Sequence, residues 1–150
     1  MGMPDIRSLV PHAGPMLLLD RVVSADADNL LAEVRIRSDS LFCNGDGVGV
    51  WVGIEYMAQA IAAWAGCIAR SRGEPVKLGF LLGTRRYECS RQIFVIGSLL
   101  QVHVRRVFQD ESGLGSFECY IDDEQGRVAT ATVTVFQPHN VNDFLERNSE

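Results

Sequence analysis

Two side chains able to do chemistry stand four residues apart in an otherwise apolar stretch, Glu55 and Gln59. On a helix that spacing puts them one turn apart on one face. From Gly47 to Ala69 Glu55 is the sole charged residue. Burial of a carboxyl group disfavours its charged form, and the positive end of a helix favours it. Either way a lone carboxyl in an apolar seam is a candidate general acid or base. The plain alternative is a helix-start glutamate that caps or reaches solvent. Gln59 has three readings: a hydrogen bond to substrate, a group that orients the carboxylate, or a satisfied core amide. Asp46, in the preceding glycine-rich stretch, is a general base, a helix cap or a turn aspartate.

Gly45, Gly47, Gly49 and Gly53 are spaced GxGxGxxxG, which is neither the dinucleotide fingerprint nor a P-loop. Backbone amides at the helix start there fit a carbonyl oxygen better, as an oxyanion hole does. His12, His103 and His139 lie far apart, and Cys43, Cys67, Cys89 and Cys119 form no CxxC pair. This spacing predicts no metal site. His103 alternates with apolar residues beside Gln101 and Arg105, which predicts a solvated position.

The elements that must carry these residues follow from hydropathy. Ala32, Val34 and Ile36 alternate with Glu33, Arg35 and Arg37, the pattern of a half-buried strand. Met16–Val23 reads as a strand, 26–29 as a turn, and 44–49 as a glycine-rich loop. A helix is predicted over about Trp51–Ala69, stopped by Arg70, Arg72 and Gly73-Glu74-Pro75. Strands follow at Leu78–Leu82, Tyr87–Val95, around Leu100–Val104, at Phe117–Ile121 and over 128–135. The last three are able to form an antiparallel meander. The sum is α+β, one helix against one antiparallel sheet. The helix is apolar nearly all round, so a second subunit is expected to cover what the sheet leaves bare.

The chain has 150 residues, 47% hydrophobic and 22% charged, with net charge −5. This is the composition of one globular domain. The acidic balance argues against nucleic acid as partner. The apolar stretch is long enough to span a bilayer, but Glu55 and Gln59 in mid-span favour a core helix over a membrane one. The stretch Met1–Arg7 lacks the basic-then-apolar order of an export signal, and unpaired cysteines fit a reduced, cytoplasmic setting. Between Arg70 and Arg91 six basic residues face two acidic ones. That segment is either an ordinary solvated face or a dock for an acidic partner or phosphate-bearing arm. The tail from about 138 reads as loosely attached.

Three blocks carry a family resemblance. Leu9-Val10-Pro11-His12-Ala13-Gly14-Pro15-Met16-Leu17-Leu18-Leu19-Asp20-Arg21-Val22 is similar to an N-terminal PHRxPxLLVDRV block. Gly53-Ile54-Glu55-Tyr56-Met57-Ala58-Gln59-Ala60 is similar to a central-helix block with an EAxAQ core. Gly79–Phe136 matches in strand layout. Together they resemble the hotdog-fold 3-hydroxyacyl-[acyl-carrier-protein] dehydratases of fatty acid synthesis. The resemblance implies an antiparallel sheet wrapped around one long central helix. It also implies a (3R)-3-hydroxyacyl thioester on acyl carrier protein or coenzyme A as substrate, no cofactor, and a dimer. In that family a histidine takes the C2 proton and a helix carboxylate helps the C3 hydroxyl leave as water. A backbone amide near the helix start holds the thioester carbonyl. The resemblance places the carboxylate at Glu55, the following glutamine at Gln59 as a substrate-binding group, and the carbonyl-holding amides around Gly49 and Val50.

The sequence departs from the family where its GHFPxxPxxPG segment carries the histidine. Here the run is Phe42-Cys43-Asn44-Gly45-Asp46-Gly47-Val48-Gly49, with no histidine. Asp46 is then the available stand-in for the base. The chain most resembles the divergent dehydratase-like proteins of aryl polyene and related type II polyketide pathways, some of which work beside a second dehydratase subunit. Two further readings share the fold. One is a thioesterase using Asp46 or Glu55 to activate water; the other is a non-catalytic subunit completing a hotdog heterodimer.

Overall fold

The computed structural model describes residues 3–10, 16–75 and 80–137. His12, Lys77, His139 and the tail from 138 lie outside the described residues. Among the described residues nine strands and one long helix follow in chain order. They are β1 (Arg21–Ala25), β2 (Asn29–Arg35), β3 (Cys43–Asn44), β4 (Gly47–Gly49), α1 (Gly53–Ser71), β5 (Phe80–Cys89), β6 (Ile93–Val95), β7 (Leu99–Gln109), β8 (Leu114–Asp123) and β9 (Gly126–Phe136). A six-stranded antiparallel sheet has the order β1-β2-β7-β8-β9-β5, and β3-β4-β6 form a second, three-stranded sheet.

The large sheet turns one face to α1. Leu30, Ala32 and Val34 of β2 pair in register with Val104, Val102 and Leu100 of β7, and all six are buried. Phe117, Cys119 and Ile121 of β8 and Ala129, Ala131 and Val133 of β9 continue that face. Trp64 of α1 packs edge-on to Phe117 with ring centroids 5.3 Å apart. The expected turn before β2 is closed by Asp26, whose Oδ1 accepts from the amides of Asp28 (2.9 Å) and Asn29 (2.8 Å). Those hydrogen bonds hold its carboxyl below the usual range.

The structure amends several expectations. The helix runs Gly53–Ser71, preceded by a 3-10 turn at Val50–Val52, because Gly49 with its strand pairing delays the first full helical turn. Its other end closes in a Schellman arrangement. Gly73 takes φ 67, its N–H reaches Arg70 O (3.1 Å), and Glu74 N–H reaches Ala69 O (2.8 Å). Of the strand expected over 16–23, the part from Arg21 onward is strand, while the Leu18 amide is taken by the Gln59 side chain instead. The glycine-rich loop is instead the β3–β4 hairpin. Its Gly47 lies so close to β6 that a Cβ there would meet Phe94 O at 2.1 Å. The two strands expected over 78–95 are cut differently: β5 runs on to Cys89, and the short β6 leaves for the second sheet.

The helix face turned away from the sheet is covered in part by the chain's own N-terminal segment, a cover expected from a second subunit. Leu9 is 0% exposed, and its carbonyl crosses α1 at Gly66, where a Cβ would lie 2.0 Å from Leu9 O. Burying one such leucine contributes about 1.5–3 kcal/mol. Val50–Ser71 is long and apolar enough to cross a membrane by length and composition. Of that apolar window 61% is buried within the fold.

Candidate functional site

Glu55 sits half-buried in the first turn of α1, and Gln59 lies one turn on. Gln59 donates from Nε2 to Glu55 Oε1 at 3.2 Å. It is 0% exposed. Its Nε2 also donates to Met16 O (2.8 Å), and its Oε1 accepts from Leu18 N (2.8 Å). Both amide hydrogens and the oxygen are thus engaged. The substrate-binding role expected for Gln59 gives way to positioning: it ties residues 16–18 to the helix and holds one carboxylate oxygen of Glu55.

The helix start is assembled from three directions. Gly49 ends β4 opposite Ile93 and leads into the 3-10 turn with no side-chain cap. Helix-start N–H groups without a side-chain acceptor form a natural seat for a developing negative oxygen. The Tyr87 hydroxyl donates to Val50 O and so fixes the peptide plane that enters the helix. Gly53 makes room for it, since a Cβ there would fall 2.3 Å from the Tyr87 oxygen. Burial pushes the Tyr87 phenol further above its ordinary range. Sequence reasoning passed over Tyr87. Its one trace was the glycine at the first helical position.

The other expected residues are placed apart from this cluster. Asp46 is exposed at the tip of the β3–β4 hairpin, beside Gly45 at φ 67, and its backbone carbonyl accepts from Ile96 N (2.9 Å). Its contacts are those of a turn aspartate. His103 is half-buried rather than solvated. It stacks 4.5 Å from Tyr120, and its Nδ1 is buried without a hydrogen-bond partner. Burial, then Arg127 and Arg105, lowers its pKa. Its neighbours Val102 and Val104 face α1, so His103 stands on the opposite face of the sheet from Glu55. Among the described residues no histidine joins Glu55 in a dyad, and no group of three or more His, Cys, Asp or Glu is placed to hold a metal. In the basic segment Arg91 is engaged with Asp123 (3.3 Å) and Gln125 (2.8 Å), while Arg70, Arg72, Arg85 and Arg86 are exposed.

A helix carboxyl group beside amides able to hold an oxyanion is an arrangement for proton transfer next to a carbonyl. The model of the ApeP-like family, described as ApeP dehydratase, matches residues 4–146. The chain belongs to that family. A chain of the dehydratase heterocomplex ApeI:P from Xenorhabdus doucetiae superposes with TM-score 0.92 at 31% identity, covering 99% of both chains. The 3-hydroxyacyl-[acyl-carrier-protein] dehydratase FabZ of Bartonella quintana is 26% identical over 134 residues, 86% of this chain and 84% of its own length. A hypothetical thioesterase with coenzyme A from Streptococcus pneumoniae, at TM-score 0.62 and 12% identity over 78% of this chain and 84% of its own, shares the fold alone. The hotdog fold and the dehydratase-like family both agree with the resemblance read from the sequence.

Proposed function

We propose that this protein is the carboxylate-bearing subunit of a hotdog dehydratase pair, acting on 3-hydroxyacyl thioesters of acyl carrier protein in aryl polyene-type synthesis. The observation that carries this reading is Glu55, held by Gln59 beside the uncapped helix start. A base takes the C2 proton, and that C–H electron pair becomes the C2=C3 double bond. The C3 hydroxyl leaves as water with a proton from Glu55, while helix-start N–H groups hold the thioester oxygen as charge builds on it. The base is assigned to a partner subunit. His103 lies on the far face of the sheet, Asp46 has the contacts of a turn residue, and the similar Xenorhabdus chain comes from a heterocomplex.

The test mixes the chain with its partner subunit and a 3-hydroxyacyl carrier thioester, then follows enoyl product. Glu55→Gln should lower kcat/KM about 10²- to 10⁴-fold. Undiminished turnover removes Glu55 from the mechanism. Release of free thiol without enoyl product supports the thioesterase reading instead.

A further inference from the structure

One feature of the helix start takes no part in the chemistry above. Trp51 is 63% exposed and Phe42 45% exposed, their rings packed edge-on with centroids 5.3 Å apart. Phe42 takes φ 70, a backbone conformation that a bulky L-residue rarely adopts. The Trp51 indole lies against Gly49, where a Cβ would fall 2.5 Å from its Nε1. A strained backbone on one side and a missing side chain on the other therefore hold an aromatic pair out in solvent. Nearby on β6, Val95 is 51% exposed and paired with the side-chain-free Gly47.

We infer that Trp51 and Phe42 anchor the partner hotdog subunit. This rests on the reading above, in which that subunit delivers the base. Trp51 stands in the 3-10 turn that leads into α1, four residues before Glu55, so a partner that reaches the substrate at Glu55 passes close to Trp51. The chemistry of the surface fits a protein rather than a small ligand. It is aromatic, with glycines at 45, 47, 49 and 53, and between Leu41 and Tyr56 the charged residues are Asp46 and Glu55 alone. Aromatic enrichment and charge depletion mark the centre of an interface, and tryptophan is the commonest kind of anchor. Two acidic groups within an apolar field complement a partner face that is apolar and carries a basic or imidazole group.

The experiment measures association with purified ApeI, the other subunit of the Xenorhabdus heterocomplex, by calorimetry without substrate. Trp51→Ala should weaken Kd by about 30-fold or more. Gly49→Ala, which displaces the indole but keeps it, should weaken it about tenfold. Phe108→Ala, at a 53% exposed ring at the far end of β7, should leave Kd unchanged. Circular dichroism checks that each variant is folded. Wild-type Kd in Trp51→Ala, or no binding by the wild type, overturns the assignment. So does a homodimer that Trp51→Ala dissociates, which would make a second copy the occupant. Binding is read without turnover, so loss of activity in Glu55→Gln with Kd intact separates the catalytic reading from this one.

Discussion

At its N-terminal end α1 is entered through a 3-10 turn, and neither the cap of that turn, Gly49, nor that of the helix, Val52, makes a side-chain cap, next to a half-buried carboxylate and two exposed aromatic rings. At its C-terminal end two backbone hydrogen bonds close the helix, from Gly73 N–H to Arg70 O and from Glu74 N–H to Ala69 O. Trp64 Nε1 reaches Asp26 O (3.2 Å), which ties that half of the helix to the β1–β2 turn. One end leaves donors and apolar surface for something not of this chain; the other satisfies itself. The contrast teaches where to look for function in a helix that is apolar throughout: at the terminus whose polar and apolar demands the fold does not meet internally.

Substitutions at the two ends should therefore separate activity from stability. Glu55→Gln should show the largest loss of turnover while keeping the melting temperature near that of the wild type, since the amide still accepts from Gln59. Gln59→Leu should be the most destabilising change. It leaves the Leu18 N–H and Met16 carbonyl without partners, at a cost of about 2–4 kcal/mol and a fall of roughly 10 °C by calorimetry. A melting point within a degree of wild type would deny the clamp.

Two glycine replacements sharpen the comparison. Gly66→Ala drives a Cβ against the Leu9 backbone, and overpacking of about 1–3 kcal/mol outweighs the roughly 1 kcal/mol that alanine adds to a helix interior. Gly49→Ala meets the exposed Trp51 indole, a side-chain end that can shift aside, so its urea midpoint should stay close to wild type. Equal midpoints for the two variants would refute this. At the sealed end, Gly73→Ala forces a left-handed alanine at about 1–2 kcal/mol, with turnover per folded molecule unchanged.

The smallest expected effect lies on the outer face of the sheet. The pKa of His103 is lowered by burial, so between that lowered value and the unfolded value near 6.5 the unfolded chain binds more protons. The contribution of neutral His103 is present in full above about pH 6.5 and is lost as pH falls through the folded value. Urea titrations at pH 7 and pH 5 should show His103→Gln losing less stability on acidification than wild type. Parallel losses would mean that His103 does not titrate differently on folding.

Much of this architecture was legible in the residues. Strand β2 and the β7–β9 meander show themselves through strict alternation, because one face of each is buried and the other is not. Glu55 and Gln59 stood out because a polar pair at helical spacing has few reasons to sit in an apolar run. The β3–β4 hairpin was read as loop because glycine weakens any strand signal, and here it is required by the close approach of Phe94 O. Tyr87 was missed because its function depends on Val50, 37 residues away, and no local pattern records that meeting.

Local periodicity and composition by themselves determined the α+β class, the long central helix, the meander and the candidate carboxylate, because burial on one face repeats at the period of the element. Only the tertiary structure decided that Gln59 is a clamp, that the N-terminal segment crosses at Gly66, that His103 stands on the wrong face for Glu55, and that Trp51 remains uncovered. Each of these is a contact between distant parts of the chain, set by how whole elements pack rather than by the order of their residues.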